Sequence, residues 1–325
     1  MATLLETFDR EYTATLVDKN PEYKSIFATA GVFTTSGEVS QLLRTKQKEI
    51  VIPSLLEPDY NLESNYSNTI YNDVAEPRNI SFSEYKARIA FLNEGWVESA
   101  LERELTGISP NELIARRINK YWERQTEMRA IASIFGVYNK LAKDASVVTT
   151  ATRVFDVDAF IDATATLSGD ESKGLIVVNS KVKAKMRKDQ MLVPFTDPSN
   201  LTSVDTYNGY TVAVDDKLTT LAAGKFLTMI LDKGAVIADS VANVRDLRTE
   251  SSEARGNGGG MDVLWTRRNV LVHPQGFSFT SAVITGGTKN QALSPSLTDL
   301  ADATNWEVAG KATDAKVRFL ITNAA

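Results

Sequence analysis

The feature that most constrains the fold is one long helical pattern with a well-defined start. Ser109, Pro110 and Glu112 combine an N-cap serine, a proline at the first helical position and a glutamate at the third. Beyond them, mostly apolar and aromatic residues recur three and four positions apart: Ile114, Ile118, Tyr121, Gln125, Met128, Ala132, Phe135 and Tyr138. The pattern predicts a helix over 110–142, about 33 residues and about 50 Å long. Few globular domains need so long a helix, which favours an elongated subunit.

The rest of this helix carries charged side chains, and these predict a solvent-facing side: Arg116, Lys120, Glu123, Arg124, Glu127 and Arg129. Gly136 interrupts the pattern near its end. Glycine costs about 1 kcal/mol relative to alanine inside a helix, so we expect a bend or a close backbone approach there.

Composition removes most catalytic chemistries. The 325 residues include no cysteine and one histidine, which excludes disulfides, thiolate nucleophiles and zinc sites built from cysteine or several histidines. The net charge of −5 argues against a protein that mainly neutralises phosphates. No apolar window approaches 18 residues and no signal peptide is evident, so we predict a chain that is neither secreted nor membrane-spanning. A protein without enzymatic activity is favoured.

The N-terminal third predicts an arm followed by a long hairpin. Residues 1–45 contain short apolar pairs without a sustained period, so we expect a weakly ordered arm that lies across the rest of the chain or a neighbour. Two strand-like segments follow, Glu49–Ile52 and Asn79–Leu92. They flank a polar stretch and predict a hairpin with an irregular tip.

That tip is acidic. Five carboxylates and no Lys or Arg lie between residues 57 and 76: Glu57, Asp59, Glu63, Asp73 and Glu76. Loops longer than about 12–15 residues are usually functional or disordered. Two interpretations stay open, a solvated surface loop or a docking arm anchored by Tyr60, Tyr66, Ile70 and Tyr71.

From about residue 150 the pattern indicates a mixed α/β module. We predict a helix over 157–167 closed by Gly169, strands at 175–178, 210–214, 226–231 and 235–238, and a tight turn at Asp232-Lys233-Gly234. A helix over 180–188, capped by Ser180, carries Lys181, Lys183, Lys185, Arg187 and Lys188. It is either a solvated face or a contact surface.

Three remaining motifs favour structural roles. The glycine run at 255–260 lies between predicted strands at 241–247 and 263–272, whereas a phosphate loop needs a helix after it. His273 has no second histidine with which to share a metal. Asp215 and Asp216 form an adjacent carboxylate pair at the exit of a strand, where a turn is favoured over an acid/base or metal dyad.

The order of these elements resembles the major capsid proteins of tailed bacteriophages, whose shell fold is the Hong Kong ninety-seven type. The similar segments include 105–116 with Tyr121-Trp122 and 134–138 in the long helix, together with 175–182, 191–195, 207–216 and 266–277. The resemblance covers roughly Ile50 to Trp306. It is carried by the order and spacing of motifs that are individually weak.

The resemblance implies an α+β fold with five parts. These are an N-terminal arm (1–45), an extended β-hairpin loop (46–92), a peripheral domain with the spine helix (93–149 and 241–285, helix 110–142), a mixed α/β axial domain (150–240) and a C-terminal segment (286–325).

It also implies partners and a location. Copies of the chain would form hexamers and pentamers of an icosahedral head around double-stranded DNA, without sequence-specific binding, cofactor or membrane. A separate scaffolding protein is expected because few residues precede the loop and the chain begins with Met1; a portal and a decoration protein are further expected partners. The chain would be assembled in the host bacterial cytoplasm and reside in the virion.

Two alternatives remain at this stage, an encapsulin-like compartment shell and a carboxylate-based enzyme using Asp215 or Asp216. For a shell, the opposite local charges make the acidic loop and the helix at 180–188 candidate partners between subunits.

Overall fold

The computed structural model describes residues 25–35, 37–45, 47–55, 62–78, 82–101, 117–165, 167, 173–196, 203–285 and 293–323. The α-helices are α1 (Ile26–Thr29), α2 (Gly37–Arg44), α3 (Ile118–Leu141), α4 (Val157–Ala165), α5 (Ser180–Lys188) and α6 (Leu297–Ala301). The strands of the first half are β1 (Phe33–Thr34), β2 (Glu49–Leu55), β3 (Phe82–Arg88), β4 (Ala90–Ser99), β5 (Val148–Val154) and β6 (Lys173–Val178). Those of the second half are β7 (Val193–Thr196), β8 (Ser203–Tyr207), β9 (Tyr210–Val214), β10 (Thr220–Leu221), β11 (Lys225–Asp232), β12 (Val236–Ser252), β13 (Met261–Pro274), β14 (Phe277–Phe279), β15 (Trp306–Val308) and β16 (Val317–Asn323).

Two large sheets organise these elements, as expected for an α+β fold. A four-stranded sheet has the order β1-β12-β13-β4, and an eight-stranded sheet has the order β5-β16-β11-β6-β9-β8-β7 with β10 beside β11. The second is mixed, since β6 pairs with β9 in parallel and with β11 antiparallel. Both are covered by helices, which is how a sheet hides its apolar face.

The spine helix α3 lies at the centre of the described part of the chain. It has 24 residues and is therefore about 36 Å long; the predicted start at Ser109–Pro110 lies outside the described residues. Its side chains are buried on almost every side between Glu127 and Tyr138. The predicted polar side is therefore wrong in this part, because the ends of other segments pack around the helix and supply partners for Glu127 and Arg129.

Gly136 marks a close approach, as the sequence analysis expected. A Cβ atom built at Gly136 would overlap the carbonyl oxygen of Leu300 and the indole nitrogen of Trp306. The Trp306 Nε1 group donates to the Leu300 carbonyl at 2.8 Å, so α6 and β15 are held against the spine at this position.

The C-terminal segment completes the eight-stranded sheet. Strand β16 lies between β11 and β5, antiparallel to the first and parallel to the second. Its residues Val317, Phe319 and Leu320 are fully buried. This strand, which belongs to the predicted C-terminal segment of 286–325, thus lies in the same sheet as strands of the predicted axial range of 150–240. One continuous core also joins both sheets, because sequence-distant strands fill the gap beneath the spine.

The turn at Asp232-Lys233-Gly234 connects sheets and does not form a hairpin. The Ala235 N–H donates to the Asp232 carbonyl at 3.2 Å, which confirms a tight turn. However, β11 belongs to the eight-stranded sheet and β12 to the four-stranded one. Both predicted strands are therefore present on either side of the turn, but they do not pair with each other.

The chain from Ser25 onward is part of the folded subunit, whereas residues 1–24 of the predicted arm lie outside the described residues. Phe27 and Val32 are buried in the central core, and β1 pairs in parallel with the start of β12. The Ser25 hydroxyl donates to Glu127 Oε1 at 2.7 Å. The arm predicted over 1–45 is thus ordered over most of 25–45 and lies across the rest of the same chain, which is one of the two positions expected for it.

Candidate assembly surfaces

The predicted hairpin is present and carries the acidic loop at its end. Strands β2 and β3 pair antiparallel from Glu49 opposite Arg88 to Leu55 opposite Phe82. Arg88 Nη1 and Glu49 Oε1 form an ion pair of 2.5 Å at the base. At this base Ile50, Tyr85 and Leu271 share a small apolar core with α2, which attaches the hairpin to the four-stranded sheet.

Residues 62–78 of the loop are described, and none is in a helix or strand. Side-chain hydrogen bonds nevertheless give the loop local order. Asn65 Nδ2 donates to the Glu76 carbonyl at 3.2 Å, and Arg78 donates to the Glu63 carbonyl. These bonds link the two legs of the loop.

The tip of this loop forms a turn of its own. The Ile70 N–H donates to Asn68 Oδ1 at 2.9 Å, and the Asp73 N–H donates to the Ile70 carbonyl at 3.1 Å. The Tyr66 hydroxyl donates to Glu63, which raises the pKa of that hydroxyl. These bonds are formed within the loop, so they hold its shape without contacting the rest of the subunit.

The loop exposes several large apolar side chains, which is unusual for a loop that contacts only solvent. Tyr71 is 97% exposed and Val74 is 81% exposed, and the other large apolar residues of the loop are exposed as well: Leu62, Tyr66 and Ile70. Several large apolar side chains exposed in one loop are typical of an interaction site. Of the predicted contact residues, Glu63, Tyr66, Ile70, Tyr71, Asp73 and Glu76 share this loop, while Glu57, Asp59 and Tyr60 lie outside the described residues.

The basic helix α5 has the predicted bounds but a different cap. Asn179, and not Ser180, is the N-cap residue, because its side chain accepts a hydrogen bond from the Lys181 N–H at 3.0 Å. Val182 and Met186 are buried against the eight-stranded sheet, so the lysines lie on the outer side.

Three of the five cations of α5 already have partners within the subunit. Lys183 Nζ lies 2.7 Å from Asp205 Oδ2, Arg187 lies 3.7 Å from the same oxygen, and Lys185 binds Asp189. Lys181 lies 5.9 Å from the centre of the Phe226 ring, and Lys188 is exposed. The helix is thus less available to an acidic partner than its sequence indicated, since Lys183, Lys185 and Arg187 are matched internally.

The candidate catalytic carboxylates act as turn and helix caps. Asp215 Oδ1 accepts from the N–H groups of Lys217 and Leu218 at 3.1 and 2.9 Å. Asp216 Oδ1 accepts from the N–H of Ser180 at 2.7 Å. Each carboxylate thus satisfies free N–H groups of the backbone, which confirms the turn interpretation for this pair.

His273 is a buried structural residue. Its ring lies between Tyr85 and Trp306, with ring centres 5.5 and 5.7 Å away. Because the Phe277 carbonyl only accepts, His273 Nε2 donates to it, at 2.7 Å. Burial lowers the pKa of this histidine to about 4. The imidazole is therefore neutral at pH 7 and joins the hairpin to the segment that carries Trp306.

The glycine run closes a strand–turn–strand unit. Strands β12 and β13 pair antiparallel on either side of it, and the Gly260 carbonyl accepts from the Ala100 N–H at 3.1 Å. A strand follows the run, as predicted, so the arrangement differs from a phosphate loop.

In the described part of the chain, no group of three or more His, Asp or Glu side chains could hold a metal ion. None of the described helices has the length and apolar character needed to cross a bilayer.

A cavity of about 240 Å³ that the sequence analysis did not anticipate lies beside the spine helix. Trp122, Glu123, Asp239, Ser240 and Arg268 contribute to its wall. Burial raises the pKa of Glu123, with the nearby Glu127 adding to the effect. Only tertiary structure reveals this space, because its wall combines residues more than a hundred positions apart.

The chain is similar in sequence to a known capsid protein. No family model matches the chain. The chain is 26% identical over 293 residues to the major capsid protein of Bacillus phage SPP1, a match that spans 87% of this chain and 86% of that protein.

Solved capsids have the same fold. The capsid of cyanophage Pam1 superposes with a TM-score of 0.55 at 10% identity, covering 94% of this chain and 93% of that one. The capsid of Ralstonia phage GP4 gives a TM-score of 0.55 at 10% identity, covering 91% and 88%. The chain therefore has the fold of these solved capsids and is similar over most of its length to the major capsid protein of Bacillus phage SPP1.

Proposed function

We propose that this chain is the major capsid protein of a tailed bacteriophage and assembles into hexamers and pentamers of an icosahedral head around double-stranded DNA. The observation that carries the proposal is the match to a curated major capsid protein over most of both chains. The fold shared with solved capsids agrees with it.

The physical features of the subunit suit this role. A loop with five exposed large apolar side chains lies at the end of a paired hairpin. The net charge of −5 suits a shell that encloses DNA without binding it tightly, because an acidic surface repels phosphates. The candidate carboxylate pair serves as caps, which leaves the carboxylate-based enzyme without support from that pair.

We further propose that the acidic loop docks on a neighbouring subunit, with Tyr66, Ile70 and Tyr71 as its anchors. Lys181 and Lys188 on α5 are the cations best placed to receive its carboxylates, since the other three bind Asp205 and Asp189. Exposed ion pairs contribute about 0–1 kcal/mol each. The charges would therefore set orientation, while apolar contacts and repetition around the shell supply the strength.

Electron microscopy of the purified chain, alone and with a co-expressed scaffolding protein, tests the main proposal. Icosahedral particles that contain DNA when formed during infection would support it. A chain that remains monomeric under both conditions would contradict it. Particles that instead enclose a protein cargo would favour the encapsulin-like alternative.

The loop–helix contact has its own test. Reversing Lys181 and Lys188 to Glu should slow assembly and leave the monomer folded. Reversing Lys185 alone should affect assembly less, because that cation is bound to Asp189. Equal assembly of the Lys181/Lys188 variant and the unmodified chain would contradict this pairing without affecting the capsid assignment.

A portal, a decoration protein, residence in the virion and assembly in the host cytoplasm are further parts of the proposal.

A further inference from the structure

Among the described strands, only the short β1 pairs with the outer edge of β12. On one side β12 pairs with β13 from Val236 to Ser252, and on the other it pairs with β1 at Val236 and Ile237. Beyond Ile237, no described strand pairs with this outer edge. An open edge presents unpaired N–H and C=O groups, which makes it a template for another strand.

The direction of the backbone groups on this edge follows from one hydrogen bond. The Arg267 N–H donates to Asp246 Oδ1 at 3.2 Å, so odd-numbered residues of β13 direct their N–H groups toward β12. Arg248 and Glu250 pair with odd-numbered residues of β13. Since the direction alternates along a strand, Thr249 between them presents its N–H and C=O groups to the open edge.

The edge around Thr249 is self-complementary in charge. Arg248 and Glu250 lie on the same side of the sheet because they are two residues apart. Arg248, Thr249 and Glu250 are all exposed. Arg248 forms no ion pair with a described residue, and Glu250 accepts one hydrogen bond, from Trp265 Nε1 at 3.0 Å. A second copy placed antiparallel about Thr249 would set each Arg248 opposite a Glu250.

We propose that two copies of this chain join through this edge, as an antiparallel strand pair about a two-fold axis at Thr249. Thr249 exchanges two backbone hydrogen bonds with the partner's Thr249. Leu247 and Ser251 do the same with the partner's Ser251 and Leu247. Arg248 lies opposite the partner's Glu250 at a position without backbone hydrogen bonds, where side chains are closest.

The contact is short, which suits a shell. The pairing of β12 with β13 shifts register between Ala242 and Leu247, and such a bulge bends the strand and interrupts its edge. About five residues per copy remain for pairing. So small a contact forms when many other contacts hold the copies in place. The inference therefore rests on the proposed function and adds a contact between copies to it.

A crosslinking experiment tests this contact. Because the chain has no native cysteine, any disulfide must involve the introduced thiol. Thr249→Cys places the two thiols at the axis, where Cα atoms of a hydrogen-bonded pair lie about 5.5 Å apart, within the range of a disulfide. Ser251→Cys is the matched control, because its two copies would lie about 14 Å apart along the strands. Assembled particles of each variant would be oxidised mildly and run on a non-reducing gel.

We expect a disulfide-linked dimer from Thr249→Cys particles and only monomer from Ser251→Cys particles. Particles without a Thr249→Cys dimer, or with equal dimer from both variants, would overturn the pairing and leave the proposed function intact. Failure of the unmodified chain to form particles would overturn the proposed function, and this inference with it.

A charge exchange keeps the proposal testable if a cysteine variant does not assemble. Arg248→Glu places like charges opposite each other, so particle yield should fall several-fold. The double variant Arg248→Glu with Glu250→Arg restores opposite charges and should recover most of the yield. No loss in the single variant, or no recovery in the double, would overturn the pairing.

Discussion

The acidic loop and the spine helix both depart from the usual rule that apolar side chains are buried and charged ones exposed. The loop exposes apolar side chains, and the helix buries charged ones. In the loop, Tyr71 is 97% exposed and the side chains bind one another. In the helix, Glu127 is 2% exposed and Arg129 is 6% exposed, and both bind segments that are remote in sequence. Burial therefore follows the partners available: the charged groups of the helix have theirs within the subunit, whereas the apolar groups of the described part of the loop are exposed.

The tightest packing on the spine gives the largest expected effect. Gly136→Ala should destabilise the subunit by about 3 kcal/mol or more, because the new methyl group would overlap the Leu300 carbonyl and displace Trp306. Urea unfolding followed by tryptophan fluorescence would measure the loss. Gly37→Ala is the control, since a Cβ at Gly37 meets no atom within 4 Å. Similar loss in both variants would contradict the close-approach argument.

His273 predicts a pH dependence of stability. Its pKa is about 4 in the folded subunit and about 6.5 in an unfolded chain. Because the unfolded state binds the proton more tightly, the stability from neutral burial is present above pH 6.5. It is lost as the pH falls toward 4, on the order of 3 kcal/mol in all.

The matched variant for this pH effect is His273→Phe, which keeps a ring between Tyr85 and Trp306 but cannot titrate. We expect it to be less stable at pH 7, because the Phe277 carbonyl loses its donor, and to have a flatter profile between pH 6.5 and 4. Urea titrations at four pH values would show the difference. Parallel profiles for both proteins would assign the pH dependence to other groups.

Glu127 should have a smaller effect that is specific to the N-terminal segment. Its carboxylate accepts from the Ser25 hydroxyl at 2.7 Å and from the Ile26 N–H at 3.1 Å. Glu127→Ala leaves both donors without this acceptor, so we expect a loss of about 2 kcal/mol. Amide hydrogen exchange should show faster exchange in residues 25–34. Lys140→Ala is the control, because Lys140 is exposed on the same helix, and equal effects would contradict a direct role for Glu127.

The loop should show the smallest effect on stability and a large one on assembly. Tyr71→Ser removes an exposed ring, so the free energy of unfolding should change by less than about 0.5 kcal/mol. Assembly followed by light scattering should slow markedly. The control is Val214→Ser, because Val214 is also an exposed apolar residue but lies outside the loop. A destabilised Tyr71→Ser monomer, or normal assembly, would remove the contrast between loop and spine.

Much of the local structure could be predicted from the sequence. The hairpin, the basic helix and the strands around the glycine run depend on short-range patterns: alternation, capping residues and turn residues. The predicted bounds of 180–188 for α5 and 210–214 for β9 match the structure. The contact role of the loop stays a prediction, because it depends on a partner subunit.

The sequence by itself thus determined the local elements, the acidic character of the loop and the absence of cysteine chemistry. Tertiary structure alone decided that β16 lies between β5 and β11, that Glu127 and Arg129 are buried, and that no described strand pairs with the outer edge of β12 beyond Ile237. Helix and strand patterns report contacts between near neighbours. Strand order, the burial of charged side chains and an unpaired strand edge depend on which remote segments pack together. The periodicity of the sequence does not indicate which segments these are.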